Sequence, residues 1–175
     1  MGCKPLFALE AETQCAVVVE EVSRCQKLGH PVLIGTRTLA QSEQIARLLE
    51  SNNLAHTVLN ARQDAHESEV VAQAGQRGTI TVATNMAGRG TDIPLGKGVA
   101  ELGGLHVIVA ELNENKRIDR QLIGRSARQG DPGSYRYILH LEDEMLQRFV
   151  PTWLRSLIGA RFLTRVSYWH QLCIV

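Results

Sequence analysis

Residues 31–59 read PVLIGTRTLAQSEQIARLLESNNLAHTVL. Pro31 and Gly35 bracket the apolar run Val32-Leu33-Ile34, the pattern of a short strand buried on both faces. Thr38 to Asn52 follows with Leu39, Ile45, Ala46, Leu48 and Leu49 at helical spacing and stops at Ser51-Asn52-Asn53. Ala55 to Leu59 is a second short apolar run. Strand, helix and strand in that order make a βαβ unit, whose two strands lie parallel in one sheet.

The alternation continues outward from this unit. Upstream, Glu10 to Leu28 reads as a helix closed by Gly29, and residues 1–9 carry no period and are expected to be a loose start. Downstream, Asp64 to Ala74 reads as a helix ended by Gly75, Thr79 to Ala83 as a third strand and Leu105 to Ala110 as a fourth. Ile118 to Gly124 is a short helix, Tyr135 to Leu141 a fifth strand, and Glu142 to Phe149 a last helix. The expected fold is α/β: three layers, αβα, with a mostly parallel sheet over residues 10–149 and a helical tail over 150–175. In such sheets function sits at the carboxyl ends of the strands. Polar or glycine-rich segments follow the strands there: Gly35-Thr36-Arg37, Asn60-Ala61-Arg62, Thr84 to Gly104 and Glu111 to Arg117.

A chain of 175 residues is the size of one domain with a short appendage. Nineteen Lys and Arg against 18 Asp and Glu leave a formal charge of +1, which argues against a strongly basic nucleic-acid binder. At 44% hydrophobic and 21% charged, the chain can bury a core. Cys3, Cys15, Cys25 and Cys173 form no CxxC pair and read as reduced thiols. Met1 to Leu6 lacks the pattern of a signal peptide, and no apolar run is long enough to span a membrane.

Two near misses carry no chemistry. Gly96-Lys97-Gly98 lacks both the first glycine and the final hydroxyl of G-x-x-x-x-G-K-[ST], so it is not a phosphate loop. His66-Glu67 begins an HExxH, but Val70 stands at the second histidine, so no metal site is expected. The other histidines (His30, His56, His106, His140 and His170) are scattered and read as satisfied structure.

Two segments stand out against this background. Thr84 to Ile93 (TNMAGRGTDI) leaves a strand through a turn that needs glycines and presents Arg89 and Asp92. Arg117 to Gly133 contains Gln121, Arg125 and Arg128, at i, i+4 and i+7 of one helical stripe. Guanidinium groups held side by side are stable with a polyanion between them, and their planar forks suit phosphate oxygens. Singly, each has a plain alternative: Arg125 and Arg128 pairing with Asp119, Asp131 or Glu142, Asp92 capping a turn, Gly88 and Gly90 as turn residues. Together, in order and after strands, they favour a phosphate-handling site.

The second segment fits Q-x-x-G-R-x-x-R-x-G, which resembles motif VI of superfamily 2 helicases, and the first resembles their motif V. More narrowly, Thr84 to Ile93, Gly103 to Ile108, Arg117-Ile118-Asp119, Gly124 to Ser126 and Gln129 to Gly133 resemble the SecA protein-translocation ATPases. So do Pro31 to Thr36, Val58 to Ala61 and Val71 to Gly75, and the resemblance covers about residues 13–149. It implies a RecA-like fold of the P-loop NTPase type, and the second motor lobe of a SecA-like protein. It implies ATP in a cleft shared with an N-terminal P-loop lobe, which would supply the ligands of a magnesium ion. Gly88, Arg89, Gly90 and Asp92 would face the nucleotide; Arg125 and Arg128 would reach the γ-phosphate, one as an arginine finger, with Gln121 ordering them or the attacking water. The implied setting is the cytoplasm, with peripheral contact to the inner face of the cell membrane. The implied partners are an unfolded preprotein and a membrane translocation channel.

Residues 150–175 place Leu154, Leu157, Ile158, Phe162, Val166 and Trp169 at helical spacing, which reads as a helix packed on a lobe or, less favoured, resting on an anionic membrane; the resemblance implies the start of a scaffold helix. Two other functions compete. One is the second lobe of an RNA or DNA helicase, disfavoured by near-neutral charge and 5% aromatic residues. The other is a non-catalytic docking module, suggested by the missing phosphate loop.

Overall fold

All five residues of the run at Val32–Thr36 are buried, and the chain is built around that strand. The computed structural model describes residues 1–59, 67–84, 92–127, 130–149 and 151–153. The strands are β1 (Leu6–Ala8), β2 (Val32–Thr36), β3 (Thr57–Leu59), β4 (Ile80–Thr84), β5 (Leu105–Val109) and β6 (Gly133–His140). They form one six-stranded sheet in the order β1-β6-β5-β2-β4-β3, and every described pairing is parallel. The helices are α1 (Ala11–Lys27), α2 (Leu39–Ser51), α3 (Glu67–Gln73), α4 (Val99–Leu102), α5 (Lys116–Ile123) and α6 (Glu144–Phe149).

The period of two along each strand sorts the core into two layers. Val32, Ile34, Ile80, Val82, Ile108 and Ile138 face one way and are covered by Val18 and Val22 of α1 and Ile45 and Leu49 of α2. Leu33, Ala83, Leu105, Val107 and Val109 face the other way, under Val71 of α3 and Leu122 of α5. This is the expected three-layer α/β arrangement. Side-chain caps fix two helix starts: Thr38 Oγ1 accepts from Gln41 N at 3.3 Å for α2, and Asn115 Oδ1 accepts from Arg117 N at 2.9 Å for α5.

Three expectations change. Leu6–Ala8, inside the segment read as loose, forms β1 and pairs with β6 at Leu6↔Ile138, Phe7↔Leu139 and Ala8↔His140. Three residues are too few to show a period of two in sequence. Val99–Leu102, read as loop, makes a single helical turn, α4. The third change concerns the arginine stripe. Helix α5 stops at Ile123 and tightens: Arg125 N donates to Leu122 O at 3.1 Å and Ser126 N to Ile123 O at 2.9 Å. Arg125 therefore lies in the turn beyond the helix rather than one turn above Gln121. Arg128, the residues of the strand-exit glycine turn from Asn85 to Thr91, Asn60 to His66, and the tail from Leu154 onward lie outside the described residues.

At the amino end of the sheet a buried ionic tie fastens α1 to β5 and β6. Glu21, 5% exposed, accepts from Arg24 Nη2 at 2.8 Å and Arg24 Nε at 3.1 Å. Arg136 Nη1 donates to it at 3.4 Å, and His106 Nε2 lies 3.3 Å from Glu21 Oε1. Ser134 Oγ holds the other ring nitrogen of His106 at 2.7 Å. Burial pushes the Glu21 carboxyl up. The hydrogen bonds from His106 and Arg24 and the charges of Arg136 and Arg24 outweigh burial and hold it at about 2.

That shift is a stability contribution with a defined pH window. A glutamic acid with an ordinary value of 4.5 in the unfolded chain and about 2 in the fold contributes fully above 4.5 and is lost as pH falls toward 2. The difference corresponds to about 3 kcal/mol. Urea unfolding from neutral pH downward should show the wild type losing stability through this window and Glu21→Gln, already less stable at neutral pH, losing less. Parallel curves for the two proteins would refute the tie.

Candidate functional site

In a parallel sheet a crevice opens where adjacent strands send their chains to opposite faces. Strands β2 and β5 are such neighbours: β2 leads to α2 on the first face, and β5 leads to α5 on the second. The crevice between them is closed from within. Glu111, just beyond β5 and 7% exposed, accepts from Arg37 N and Thr38 N at 2.8 Å each and from Thr38 Oγ1 at 3.0 Å. Beside it, Gln14 Nε2 donates to Ala110 O and to Ile138 O, and Gln41 Nε2 donates to Gln14 Oε1 at 2.9 Å. Among the described residues, the carboxyl rim at this point is a hydrogen-bonded polar network.

The second outstanding segment runs from that rim down the second face. Leu122 packs onto Gly35 of β2 so closely that a Cβ on Gly35 would collide with the leucine methyl groups. The Ser126 carbonyl lies against the Cα of Gly133, the first residue of β6, where a Cβ would overlap it. Helix α5 and its closing turn thus cross from the carboxyl end of the sheet toward the amino end. Gln121 is exposed on this helix and Arg125 is half-buried in the turn. The first segment re-enters on the same face. Asp92 is exposed, and the next residue, Ile93, joins the second-face core. The Pro94 carbonyl abuts Gly75, and Gly96 N donates to Gly75 O at 2.9 Å. Among the described residues, Asp92, Gln121 and Arg125 therefore attach to one face of the sheet. Helix α5 carries Gln121, and the turn beyond it Arg125, from the end of β5 back over the sheet. Gly88, Arg89, Gly90 and Arg128 lie outside the described residues.

Electrostatics on this face are set by few groups. Asp119, considered as a partner for the arginines, accepts from Asn113 Nδ2 at 2.7 Å and Asn113 N at 3.3 Å. Burial, with the charge of Asp119 beside it, pushes the Tyr137 hydroxyl up. Tyr137 meets Tyr135 edge to face with ring centres 6.1 Å apart.

The described donors on this face, a guanidinium and an amide at Arg125 and Gln121, suit anionic oxygens such as those of a nucleotide phosphate. For a divalent cation, the described residues offer one cluster of three donors within 4.8 Å of one another: Glu21, Cys25 and His106. It fits a metal poorly. The Glu21 oxygens already serve two guanidinium groups, which would repel a dication. The Cys25 thiol is pushed up to about 11, by burial first and then by the Glu21 charge. His106 meets Ser134 Oγ through one ring nitrogen and lies against Glu21 through the other. His30 and His56 likewise meet the Gly104 and Leu54 carbonyls, at 3.4 Å and 2.9 Å. Glu111, Gln14 and Glu21 were not singled out in sequence. The available signal was weak: a carboxylate directly after an apolar strand, and polar residues at buried helix positions.

Six parallel strands between two helical layers, with a crossover helix on one face, define a RecA-like α/β fold. Solved structures share the fold. Against the Escherichia coli DEAD-box protein SrmB bound to RraA the TM-score is 0.67 at 19% identity, covering 86% of each chain. Against domain 2 of the DEAD-box helicase Mss116p bound to an RNA duplex it is 0.60 at 18% identity, covering 85% of this chain and 59% of that one. A family model described as the SecA P-loop domain matches residues 6–100 and 96–164, and the chain belongs to the SecA family. It is 55% identical over 177 aligned residues to protein translocase subunit SecA 3 of Magnetococcus marinus, covering 95% of this chain and 27% of that protein. It is 53% identical over 146 residues to protein translocase subunit SecA 2 of Bacillus thuringiensis, covering 83% and 18%. The chain thus spans about a quarter or less of the length of these relatives. No helix among the described residues is long and apolar enough to cross a membrane.

The contact between Gly35 and Leu122 makes a direct prediction. Gly35→Ala should cost about 1–3 kcal/mol by overpacking, and Leu122→Ala about 2–5 kcal/mol by leaving a cavity. The double substitution should cost less than the sum, because the new methyl enters the space the leucine vacates. Chemical denaturation of the four proteins measures this, and strict additivity would show that α5 does not bear on β2 there.

Proposed function

We propose that this chain is the second nucleotide-binding lobe of a SecA-like ATPase that couples ATP binding and hydrolysis to protein translocation across a membrane. The observation that carries the reading is the arrangement on the second face. A helix pinned at Leu122 and a turn pinned at Gly133 present Gln121 and Arg125 within the sequence Q-x-x-G-R-x-x-R-x-G. The names of the relatives, protein translocase subunits, support the translocation part, and the likeness to a structure titled as a helicase domain 2 supports the choice of lobe. The sequence itself contains no G-x-x-x-x-G-K-[ST], so the phosphate loop and the magnesium ligands would come from an N-terminal lobe.

ATP, when bound between the lobes, supplies the phosphoryl group and its concentrated negative charge. The work of this chain is to meet that charge. Arg125 and Arg128 would offer planar donor forks to the γ-phosphate oxygens, stabilising the charge that spreads over them in the transition state. Gln121 would orient a guanidinium or the attacking water. Gly88, Arg89, Gly90 and Asp92 would line the phosphate and sugar side and couple occupancy to lobe closure. The partners would be an unfolded preprotein and a membrane channel, met at the cytoplasmic face of the membrane. A role as an RNA or DNA helicase lobe is disfavoured by the charge balance of +1.

Three outcomes test this reading. The chain alone should hydrolyse no ATP, because one wall of the cleft is missing, and substantial turnover by the purified chain would overturn the shared site. Joined to a P-loop lobe, the protein should be stimulated by an unfolded preprotein and not by RNA. In it, Arg125→Ala or Arg128→Ala should lower kcat by about 10³-fold or more, with far less change in nucleotide affinity. Equal losses in both would count against a finger.

A further inference from the structure

A carboxylate as deeply buried as Glu111 persists only where its oxygens are satisfied. Its donors come from another part of the sheet: Arg37 N, Thr38 N and the Thr38 hydroxyl belong to the junction between β2 and α2. Just before it, Ala110 is held from both sides, its N–H donating to Gly35 O at 2.9 Å and its carbonyl accepting from Gln14. Just after it, the short loop is tied into α5. Asn113 donates to Asp119 at 2.7 Å, and Asn115 caps the helix through Arg117 N at 2.9 Å. A continuous set of hydrogen bonds thus leads from the start of α2, through one carboxylate, to the helix that bears Gln121 and precedes Arg125.

We propose that Glu111 is a positioning residue: by anchoring the β5–α5 loop to the N-terminus of α2, it sets the attitude of α5 and so the places at which Gln121 and Arg125 meet phosphate oxygens. This rests on the reading of those two side chains given above. The anchor binds the N–H groups of Arg37 and of Thr38, the N-cap of α2, to an internal carboxylate. It also makes α2 and α5 a mechanical pair, because a shift of one pulls on the other through a single side chain.

Two readouts test the proposal. In the chain alone, Glu111→Ala should speed backbone hydrogen exchange over Lys116–Ile123 by about tenfold, while exchange at Val18 and Ile138 in the opposite core stays as in the wild type. Asn113→Ala should speed the same segment, and the two together should add little. In the chain joined to a P-loop lobe, Glu111→Ala should lower kcat by about tenfold or more, with the KM for ATP changed by less than about threefold. Glu111→Gln, which keeps one carbonyl acceptor, should recover part of the loss. Should Glu111→Ala fail to fold, Glu111→Gln and Asn113→Ala carry the same comparisons. Unchanged exchange in α5 overturns the proposal whatever the motor does. So does a loss of turnover that merely follows the folded fraction. If the wild-type joined protein turns over no ATP, the reading of the site is what fails; the catalytic role of the anchor falls with it, and the exchange data still report whether the anchor exists.

Discussion

A central strand with apolar side chains on both faces must be covered twice, and most of this molecule follows from that requirement. Val32 and Ile34 on one side and Leu33 on the other cannot be shielded by a single layer. The chain therefore places α1 and α2 on one face of the sheet and α3 and α5 on the other, and neighbouring strands such as β2 and β5 part company at their carboxyl ends. The parting creates a cleft in the rim, the cleft exposes the backbone N–H groups that start α2, and Glu111 fills it. Covering the second face also brings α5 over Gly35, and the turn beyond it reaches Gly133 at the amino end of that face.

The two ends of the sheet are secured by different chemistry. At the carboxyl end, amides and one carboxylate close on main-chain atoms, which fixes the backbone path between elements with short, directional contacts. At the amino end, Glu21 gathers two guanidinium groups and an imidazole, so the fastening there is ionic and joins side chains of α1, β5 and β6. Breaking such a buried group apart strands charges without water, which makes the tie costly to lose. The face that carries Gln121 and Arg125 is free of that cluster, and its buried carboxylate, Asp119, is occupied by Asn113.

Much of the fold was legible in sequence because its elements are strongly periodic. Thr38 to Asn52 was read as a helix and Leu39–Ser51 is one; Leu105 to Ala110 was read as a strand and Leu105–Val109 is one. What escaped had no local signal. Leu6–Ala8 is a strand only because β6 offers it an edge, and the end of α5 is decided by Gly133, seven residues past Ser126 in sequence and in contact with its carbonyl in space. The site divides in the same way. Motif spacing drew attention to Gln121, Arg125 and Asp92, while Glu111 and Gln14, which bond across the carboxyl rim, were hidden because a buried polar residue looks in sequence like any solvated one. The i, i+4, i+7 stripe was a fair extrapolation of helical geometry that the tightened last turn of α5 cut short.

The pairing of β1 with β6 has a consequence for how the sheet is assembled in time. Leu6 finds its neighbour in Ile138, so the first strand of this sheet waits for the last before it can bond. Until then β5 is the outer strand on that side, with an open row of amide and carbonyl groups, and the nascent chain carries an unpaired edge of the kind chaperones cover. A contact spanning almost the whole sheet also raises the average loop that must close, which slows the final step relative to a chain whose neighbours in space are neighbours in sequence. The last event in making this lobe is therefore the stitching of its first strand to its last.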